Sequence, residues 1–240
     1  MRNVLAITGK ELRTYFVSPV AYVVTAGFLL MMGIFFAAFV IMQAPYSQNV
    51  SLEPVLGNAP IILLLLAPAL TMRLLAEETR SGTMELMLTS PVRDGEVVLG
   101  KYLASLLFFL FMLALTLVYP LVLMRFGNPD RGLFLSSYLG AALFGAAFLA
   151  VGVLASALTQ NQIVAAVISL ATLLALWLID IFAGLTRGAL ADILNYLSII
   201  ARYNDFLRGV ISSQSVIYYL SVIVVALFLA TRALETRRWA

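Results

Sequence analysis

Long stretches without a charged residue constrain this chain more than any other feature of its sequence. There are five of them, at residues 14–52, 54–72, 102–124, 132–179 and 209–231. The hydrocarbon core of a bilayer is about 30 Å thick, and a helix crosses it with about 20 apolar residues at a rise of about 1.5 Å each. Each stretch is therefore long enough to cross a membrane.

The charge-free stretches divide into six predicted transmembrane helices. The longest stretch has room for two spans and contains one polar cluster, residues 159–162, where the chain can turn. The predicted spans are about 20–42, 58–76, 97–124, 134–157, 162–183 and 214–233. Because these runs are continuously apolar, whereas barrel strands alternate, the sequence predicts an all-α integral membrane protein. We expect residues 1–240 to form a single transmembrane domain.

Composition agrees with a membrane protein and excludes several kinds of chemistry. Of the 240 residues, 62% are hydrophobic and 11% are charged, whereas a soluble domain is about a quarter charged. Cysteine and histidine are absent, which excludes disulfides, thiolate catalysis and zinc or haem sites built on those residues. We predict no metal site and no catalytic residue. The net charge of +3 is too small to indicate a nucleic-acid partner.

The positions of arginine and lysine predict the orientation. With a cytoplasmic N-terminus, cytoplasmic segments hold about twice as many of these residues as external segments, as the positive-inside rule requires. The cytoplasmic set is Arg2, Lys10, Arg13, Arg73, Arg80, Arg93, Lys101, Arg232, Arg237 and Arg238, and the external set is Arg125, Arg131, Arg187, Arg202 and Arg208. We expect both termini in the cytoplasm, which an even number of spans allows.

Residues 3–17 precede the first span and show an amphipathic helical pattern. Leu5, Leu12 and Phe16 fall on one face, and Lys10 lies opposite. A helix with an apolar stripe and a basic back lies in the plane of the headgroups. We expect an interfacial elbow helix that braces the first span. A basic flank that only sets the orientation explains the same residues.

The longest predicted cytoplasmic segment, residues 73–101, has the highest density of charge. Its first part continues the second span to Ser81 and Gly82, because glycine adopts the left-handed C-cap conformation at low cost. Residues 83–89 can form one or two helical turns with an apolar face before Ser90 and Pro91 end them. Asp94 is the predicted N-cap of the third span. The apolar face of the short helix needs a partner groove or the bilayer surface to bury it.

This segment resembles a known family. The pattern E-E-T-R-S-G-T-M-E-L-M-L-T-S-P-V at residues 77–92, followed by E-V-V-L-G-K at 96–101, is similar to the cytoplasmic signature of ABC-2 type exporter permeases. The six-span subunits of the gliding-motility and copper-enzyme-maturation kinds resemble it most. The elbow pattern K-E-L-R-T-Y-F-x-S-P-x-A-Y at 10–22 and F-L-R-G-V-I-S at 206–212 extend the resemblance over most of the chain.

The resemblance implies a coupling helix that docks on a separate ATPase subunit. The residues implied to form or support that contact are Glu77, Glu78, Arg80, Gly82, Thr83, Glu85, Leu86 and Leu88, with Glu85 and Leu88 on the docking face. The implied partners are an ABC ATPase subunit that binds ATP and Mg²⁺, a second permease copy or paralogue in a homo- or heterodimer, and the lipid bilayer. In the family the dimer contact involves mainly the first and fifth spans.

The chain has no phosphate-binding loop of its own. That loop requires G-x-x-x-x-G-K-[ST], in which backbone N–H groups and a lysine hold the phosphates. The two lysines, Lys10 and Lys101, are followed by Glu11 and Tyr102, where the motif requires serine or threonine. ATP hydrolysis is therefore expected on another chain.

Few residues of the spans carry a specific prediction. Asp180 near the external end of the fifth span is interpreted as reaching water or a neighbouring helix N-terminus. Small residues in the fourth span favour close helix packing inside the subunit; they are Gly140, Ala141, Ala142, Gly145, Ala146, Ala150, Gly152 and Ser156. Segment 185–213 has helical spacing and predicts one or two short external helices, as a lid over a substrate path or as plain surface helices.

These features lead to one hypothesis and two alternatives. We expect the permease subunit of an ABC-2 type exporter in an inner membrane, which couples ATP hydrolysis by a partner to substrate movement or mechanical work. A non-transporting membrane anchor or scaffold subunit fits the same composition. A secondary transporter is disfavoured, because the ionisable residues that ion-coupled transport needs are nearly absent from the span interiors.

Overall fold

The computed structural model describes residues 2–41, 52–82, 92–126 and 130–238, and these ranges are built of helices and short connections. The helices are α1 (Arg2–Val17), α2 (Pro19–Phe36, continued by the π-helix Ala37–Ile41), α3 (Glu53–Gly57), α4 (Ala59–Thr71), α5 (Ala76–Arg80), α6 (Asp94–Leu115), α7 (Val118–Phe126), α8 (Arg131–Ala157), α9 (Gln162–Leu185), α10 (Ala189–Leu197), α11 (Ile199–Leu207) and α12 (Ser213–Arg238).

Six helical stretches among the described residues are long and apolar enough to cross a membrane. They are Pro19–Val40, Ala59–Arg80, Asp94–Arg125, Arg131–Ala157, Gln162–Leu185 and Ser213–Thr236. Each agrees with a predicted span to within four residues at both ends, so the predicted all-α membrane architecture is confirmed. The predicted cap of the third span is wrong by one residue. Arg93 is the N-cap, and the Glu96 carboxylate accepts a hydrogen bond of 3.1 Å from the Arg93 N–H.

The fourth span, α8, lies at the centre of the bundle. It packs against α4, α6, α9, α11 and α12, and 78% of its apolar window is buried. Added Cβ atoms at Gly140, Gly145 and Gly152 would lie less than 3.0 Å from neighbouring side chains. The prediction that the small residues of this span serve packing inside the subunit is therefore confirmed.

The helix of the third span is interrupted at residues 116–117, for a reason visible in the sequence. Pro120 has no N–H to bond the carbonyl of Thr116 four residues earlier, and its ring clashes with that carbonyl. The helix is interrupted there between α6 and α7, and the Tyr138 hydroxyl donates to the Thr116 carbonyl at 2.9 Å. The Tyr119 N–H also donates to this carbonyl at 2.9 Å, so a backbone group three residues on and a side chain from α8 together take the place of the lost bond.

Two short helices precede the last span, as predicted, and they differ in burial. No residue of α10 is buried, whereas α11 buries Ile199, Tyr203, Phe206 and Leu207. The Ser198 hydroxyl caps α11 by accepting from the Ala201 N–H at 3.0 Å, and it donates to the Asp180 carboxylate at 2.7 Å. The interpretation that Asp180 reaches a neighbouring helix N-terminus is confirmed.

Candidate functional site

The second span is interrupted between α4 and α5, at residues 72–75, here called the helix break. The Leu74 N–H bonds to the Thr71 carbonyl at 3.1 Å, three residues back, which leaves the Leu70 carbonyl without its helical donor. The Tyr15 hydroxyl of α1 donates to that carbonyl at 2.6 Å. Burial raises the pKa of the Tyr15 phenol, and the nearby Glu11 carboxylate raises it further. The phenol therefore stays protonated and keeps its role as donor.

The Ser156 hydroxyl of α8 is inserted into the break. It donates to the Met72 carbonyl at 3.0 Å and accepts from the N–H groups of Leu75 and Ala76, each at 3.1 Å. In a continuous helix the Ala76 N–H would bond to the Met72 carbonyl directly. One side chain therefore satisfies three backbone groups that the break exposes, which is a recognised cause of helix kinks.

Gly152 brings α8 close enough for this contact. It lies one turn before Ser156, and an added Cβ would lie 2.1 Å from the Thr71 hydroxyl oxygen. The close approach of α8 to the end of α4 thus depends on a residue without a side chain. Gly152 and Ser156 act together on the last turn before the break.

The Ser156→Ala variant is expected to lose about 1–3 kcal/mol of unfolding free energy, because buried N–H groups of Leu75 and Ala76 lose their acceptor. Reversible unfolding in mixed micelles measures the loss. Ser105→Ala is the matched control, since the buried Ser105 hydroxyl donates only to Tyr102 in its own helix. Equal losses in the two variants would contradict the role given to Ser156.

A buried ionic cluster lies beside the break, and we call it the lysine clamp. It consists of Glu11 of α1, Glu78 of α5 and Lys101 of α6. The Lys101 ammonium lies 2.9 Å from a Glu11 oxygen and 2.8 Å from a Glu78 oxygen, and the lysine side chain is 1% exposed. Charge-assisted bonds in such surroundings are short and strong. Three segments distant in sequence are therefore held together by one cation.

Further contacts attach the residues around the break to other spans. The Gln162 amide at the start of α9 donates to the Glu77 carboxylate, and the Arg73 guanidinium donates to the Ser18 hydroxyl at 3.3 Å. Gly82 has a φ of +71°, as expected for a helix C-cap. Arg80 is exposed. Helix α5 is thus bound to α6, α8 and α9 within the part of the chain that the structure describes.

The structure describes four of the eight predicted contact residues, and of these Arg80 and Gly82 are exposed at the end of α5. Glu77 and Glu78 point to other spans of the same chain, as described above. Four of the predicted residues, Thr83, Glu85, Leu86 and Leu88, lie outside the described residues. The docking face predicted on Glu85 and Leu88 therefore stays a prediction.

The elbow helix α1 is present, but its main support differs from the predicted one. Its side chains contact α6 in parallel register, from the Asn3 amide on Glu96 at 3.1 Å to the Phe16 ring on Phe111 at 5.3 Å. Helix α1 also contacts the first span, where the Tyr22 hydroxyl donates to the Phe16 carbonyl at 2.7 Å, but most of its contacts are with the third span. Leu5 and Lys10 are exposed, Leu12 is half-buried and Phe16 is 40% exposed. These exposed apolar and basic side chains agree with an interfacial position, which stays a prediction.

Sequence reasoning missed four residues of this site: Glu11, Tyr15, Lys101 and Ser156. Three of them lie in patterns that the sequence shows. Glu11 and Tyr15 belong to the elbow pattern, and Lys101 ends the E-V-V-L-G-K pattern. A charged residue on the inner face of an otherwise packed helix indicates a buried partner. Nothing in the sequence alone names that partner.

Comparisons with known proteins place the chain in a family. Residues 45–234 match the family model described as ABC-2 family transporter protein. The chain is 33% identical over 114 residues to a probable multidrug ABC transporter permease, YbhS, of Escherichia coli strain K12, and equally to that of Escherichia coli O157:H7. This match covers 48% of the chain and 30% of each relative's length. With six apolar helices in the bundle and a family match over most of its length, the chain belongs to the ABC-2 family of transporter permeases.

Proposed function

We propose that this chain is the permease subunit of an ATP-driven exporter, and that a separate ATPase subunit binds to residues 83–91. The attachment of α5 carries the proposal. This helix ends just before that segment, and it is bound to α6 through Lys101, to α8 through Ser156 and to α9 through Gln162. A displacement of the segment therefore reaches several spans at once.

The other partners follow from the same proposal. ATP and Mg²⁺ are bound by the ATPase subunit, and no cofactor is assigned to this chain. The first, fifth and sixth spans bury only 22%, 17% and 17% of their apolar windows. Their outer faces are thus available to lipid and to a second permease copy or paralogue. The Escherichia coli relatives carry the name of a multidrug transporter permease, which supports an exporter.

The proposed orientation places α1, α5 and both termini in the cytoplasm of a prokaryotic cell, with the chain in the inner membrane. The even number of candidate spans, six among the described residues, supports the placement of both termini on one side. The basic residues Arg73, Arg80 and Arg93 flank the α5 region. This enrichment agrees with the positive-inside rule.

Co-purification tests the ATPase assignment. The Glu85→Arg, Leu88→Asp double variant is expected to lower the amount of ATPase recovered with the chain by about 10-fold or more, because it reverses a charge and removes an apolar contact at the docking face. The matched control makes the same exchanges on the opposite side of the bundle, as Asp192→Arg with Leu190→Asp on α10.

Three outcomes are informative. Loss of ATPase in the loop variant alone supports the proposal. An intact complex with unchanged ATP turnover in that variant refutes the docking assignment. A complex that forms, but in which ATP turnover never depends on the permease and moves no substrate, identifies the alternative, a membrane anchor or scaffold subunit.

A further inference from the structure

The helix break separates the second span into two pieces with different surroundings. Helix α4 belongs to the bundle core, with Leu63, Leu66 and Leu70 buried. Helix α5 is only five residues long and is linked to α4 by backbone groups that bond to the Ser156 hydroxyl. A hydroxyl can rotate and follow a changed bend while its bonds persist. The break can therefore change its angle without stranding a buried N–H group.

The lysine clamp gives α5 a second attachment of a different kind. Its two carboxylates come from α1 and α5, and both bind one ammonium on α6 that is almost fully buried. The Thr8 hydroxyl of α1 also donates to the Gly100 carbonyl at 3.1 Å. An added Cβ at Gly100 would come within 2.8 Å of Ile7. The start of α6 and the elbow helix are thus in close contact, and Glu78 joins α5 to them.

We propose that α1, α5 and the first turns of α6 move as one body about the helix break, with Lys101 and Ser156 as the residues that position it. The proposal rests on the proposed function for the source of the motion, which is the ATPase acting on residues 83–91. The clamp transfers that motion to the elbow helix and to the third span. The break allows α4 to stay packed on α8 meanwhile. The Tyr15 hydroxyl of α1, which donates to the Leu70 carbonyl at the end of α4, joins the two bodies at the pivot.

The remaining contact of α5 is compatible with this motion. Glu77 binds Gln162, which is the first residue of α9 and follows the short connection after α8. A contact at the very end of a helix can follow a displaced partner. Hinges in proteins are formed by a few such positions at the ends of elements.

Spin-label distances test the proposal, and the absence of cysteine from the chain makes specific labelling direct. Cysteines introduced at the exposed positions Thr14 of α1 and Arg80 of α5 report the clamped body. Cysteines at Leu65, which is 62% exposed on α4, and Arg80 report the angle of the break. The two distance distributions are measured for the permease alone in lipid nanodiscs and again with its ATPase.

Without the ATPase, the 14–80 distribution is expected to be narrow. In Glu78→Ala it is expected to broaden at least twofold, because the variant removes the ion pair that joins α5 to α6 and leaves Lys101 paired with Glu11. Glu11→Ala is expected to broaden it less, because Thr8 and Ile7 still hold α1 against Gly100. Lys101→Arg preserves the charge and is expected to keep the narrow distribution. Lys10→Met, at the exposed lysine of α1, is the matched control. An unchanged 14–80 width in Glu78→Ala overturns the clamp.

With the ATPase trapped by vanadate and Mg-ATP, the 65–80 distance is expected to shift by more than the width of its resting distribution. The 14–80 distance stays fixed in the unsubstituted protein and shifts in Glu78→Ala. A shift of both distances in the unsubstituted protein, or of neither, overturns the motion as a body. Failure of the unsubstituted, cysteine-free chain to bind any ATPase refutes the proposed function instead, because Arg80 belongs to the predicted ATPase contact and its labelling can itself weaken binding. The measurements on the permease alone still decide the clamp.

Discussion

The Lys101→Met variant is expected to lose about 3–5 kcal/mol of unfolding free energy, because it leaves one buried and one partly buried carboxylate without their cation. Glu11 and Glu78 each have an oxygen within 2.9 Å of the Lys101 ammonium. Methionine has a similar length and fills the space, so the loss reports charge and not volume. Reversible unfolding in mixed micelles measures it.

The two lysines of the chain form a matched pair for this experiment. Lys10 is exposed on α1, and Lys10→Met is expected to change the unfolding free energy by less than about 0.5 kcal/mol. The triple variant Glu11→Leu, Glu78→Leu, Lys101→Met replaces the whole clamp. It is expected to recover most of the lost unfolding free energy, because removing all three charges together leaves none of them unpaired. Equal stability of the two single methionine variants would show that the clamp does not stabilise the fold.

Features set by local sequence were predictable. The six spans follow from the spacing of charges, because each needs only its own apolar run. Pro19 begins α2 directly after Ser18, and Gly82 takes a positive φ at the end of α5. In each case the residue type restricts its own backbone, and no distant contact is needed to explain the result.

The candidate site was predictable only in part, because its bonds join residues that are far apart in sequence. Glu11 and Lys101 are 90 residues apart, and Ser156 is 84 residues from Met72. A serine in an apolar helix has many possible partners, and only the packing of α8 against α4 selects this one. For the same reason the elbow helix showed its amphipathic pattern but not its contact with α6. The N-cap of the third span is Arg93, one residue before the predicted Asp94, because the Glu96 carboxylate accepts from the Arg93 N–H.

The Gly152→Ala variant is expected to lose about 1–3 kcal/mol of unfolding free energy and to loosen the helix break at the same time. The added methyl would lie 2.1 Å from the Thr71 hydroxyl oxygen and 3.0 Å from its Cβ. Thr71 is fully buried, and its hydroxyl is bound to the Ala67 carbonyl. A β-branched side chain such as that of Thr71 has few alternative rotamers in a helix, so it cannot turn away from the added methyl. Helices α4 and α8 must therefore separate. That separation withdraws Ser156 from the break.

The matched control is Gly27→Ala, since an added Cβ at Gly27 in α2 meets nothing within 4 Å. Alanine favours a helix over glycine by up to about 1 kcal/mol, so this control is expected to be neutral or stabilising. Adding Thr71→Ala to Gly152→Ala removes the colliding oxygen and is expected to restore part of the stability, since residues in contact are not additive. If the double variant only summed two losses, the collision would not be the cause. In that case the close approach of α8 to α4 at Gly152 would not explain the position of the break in the second span.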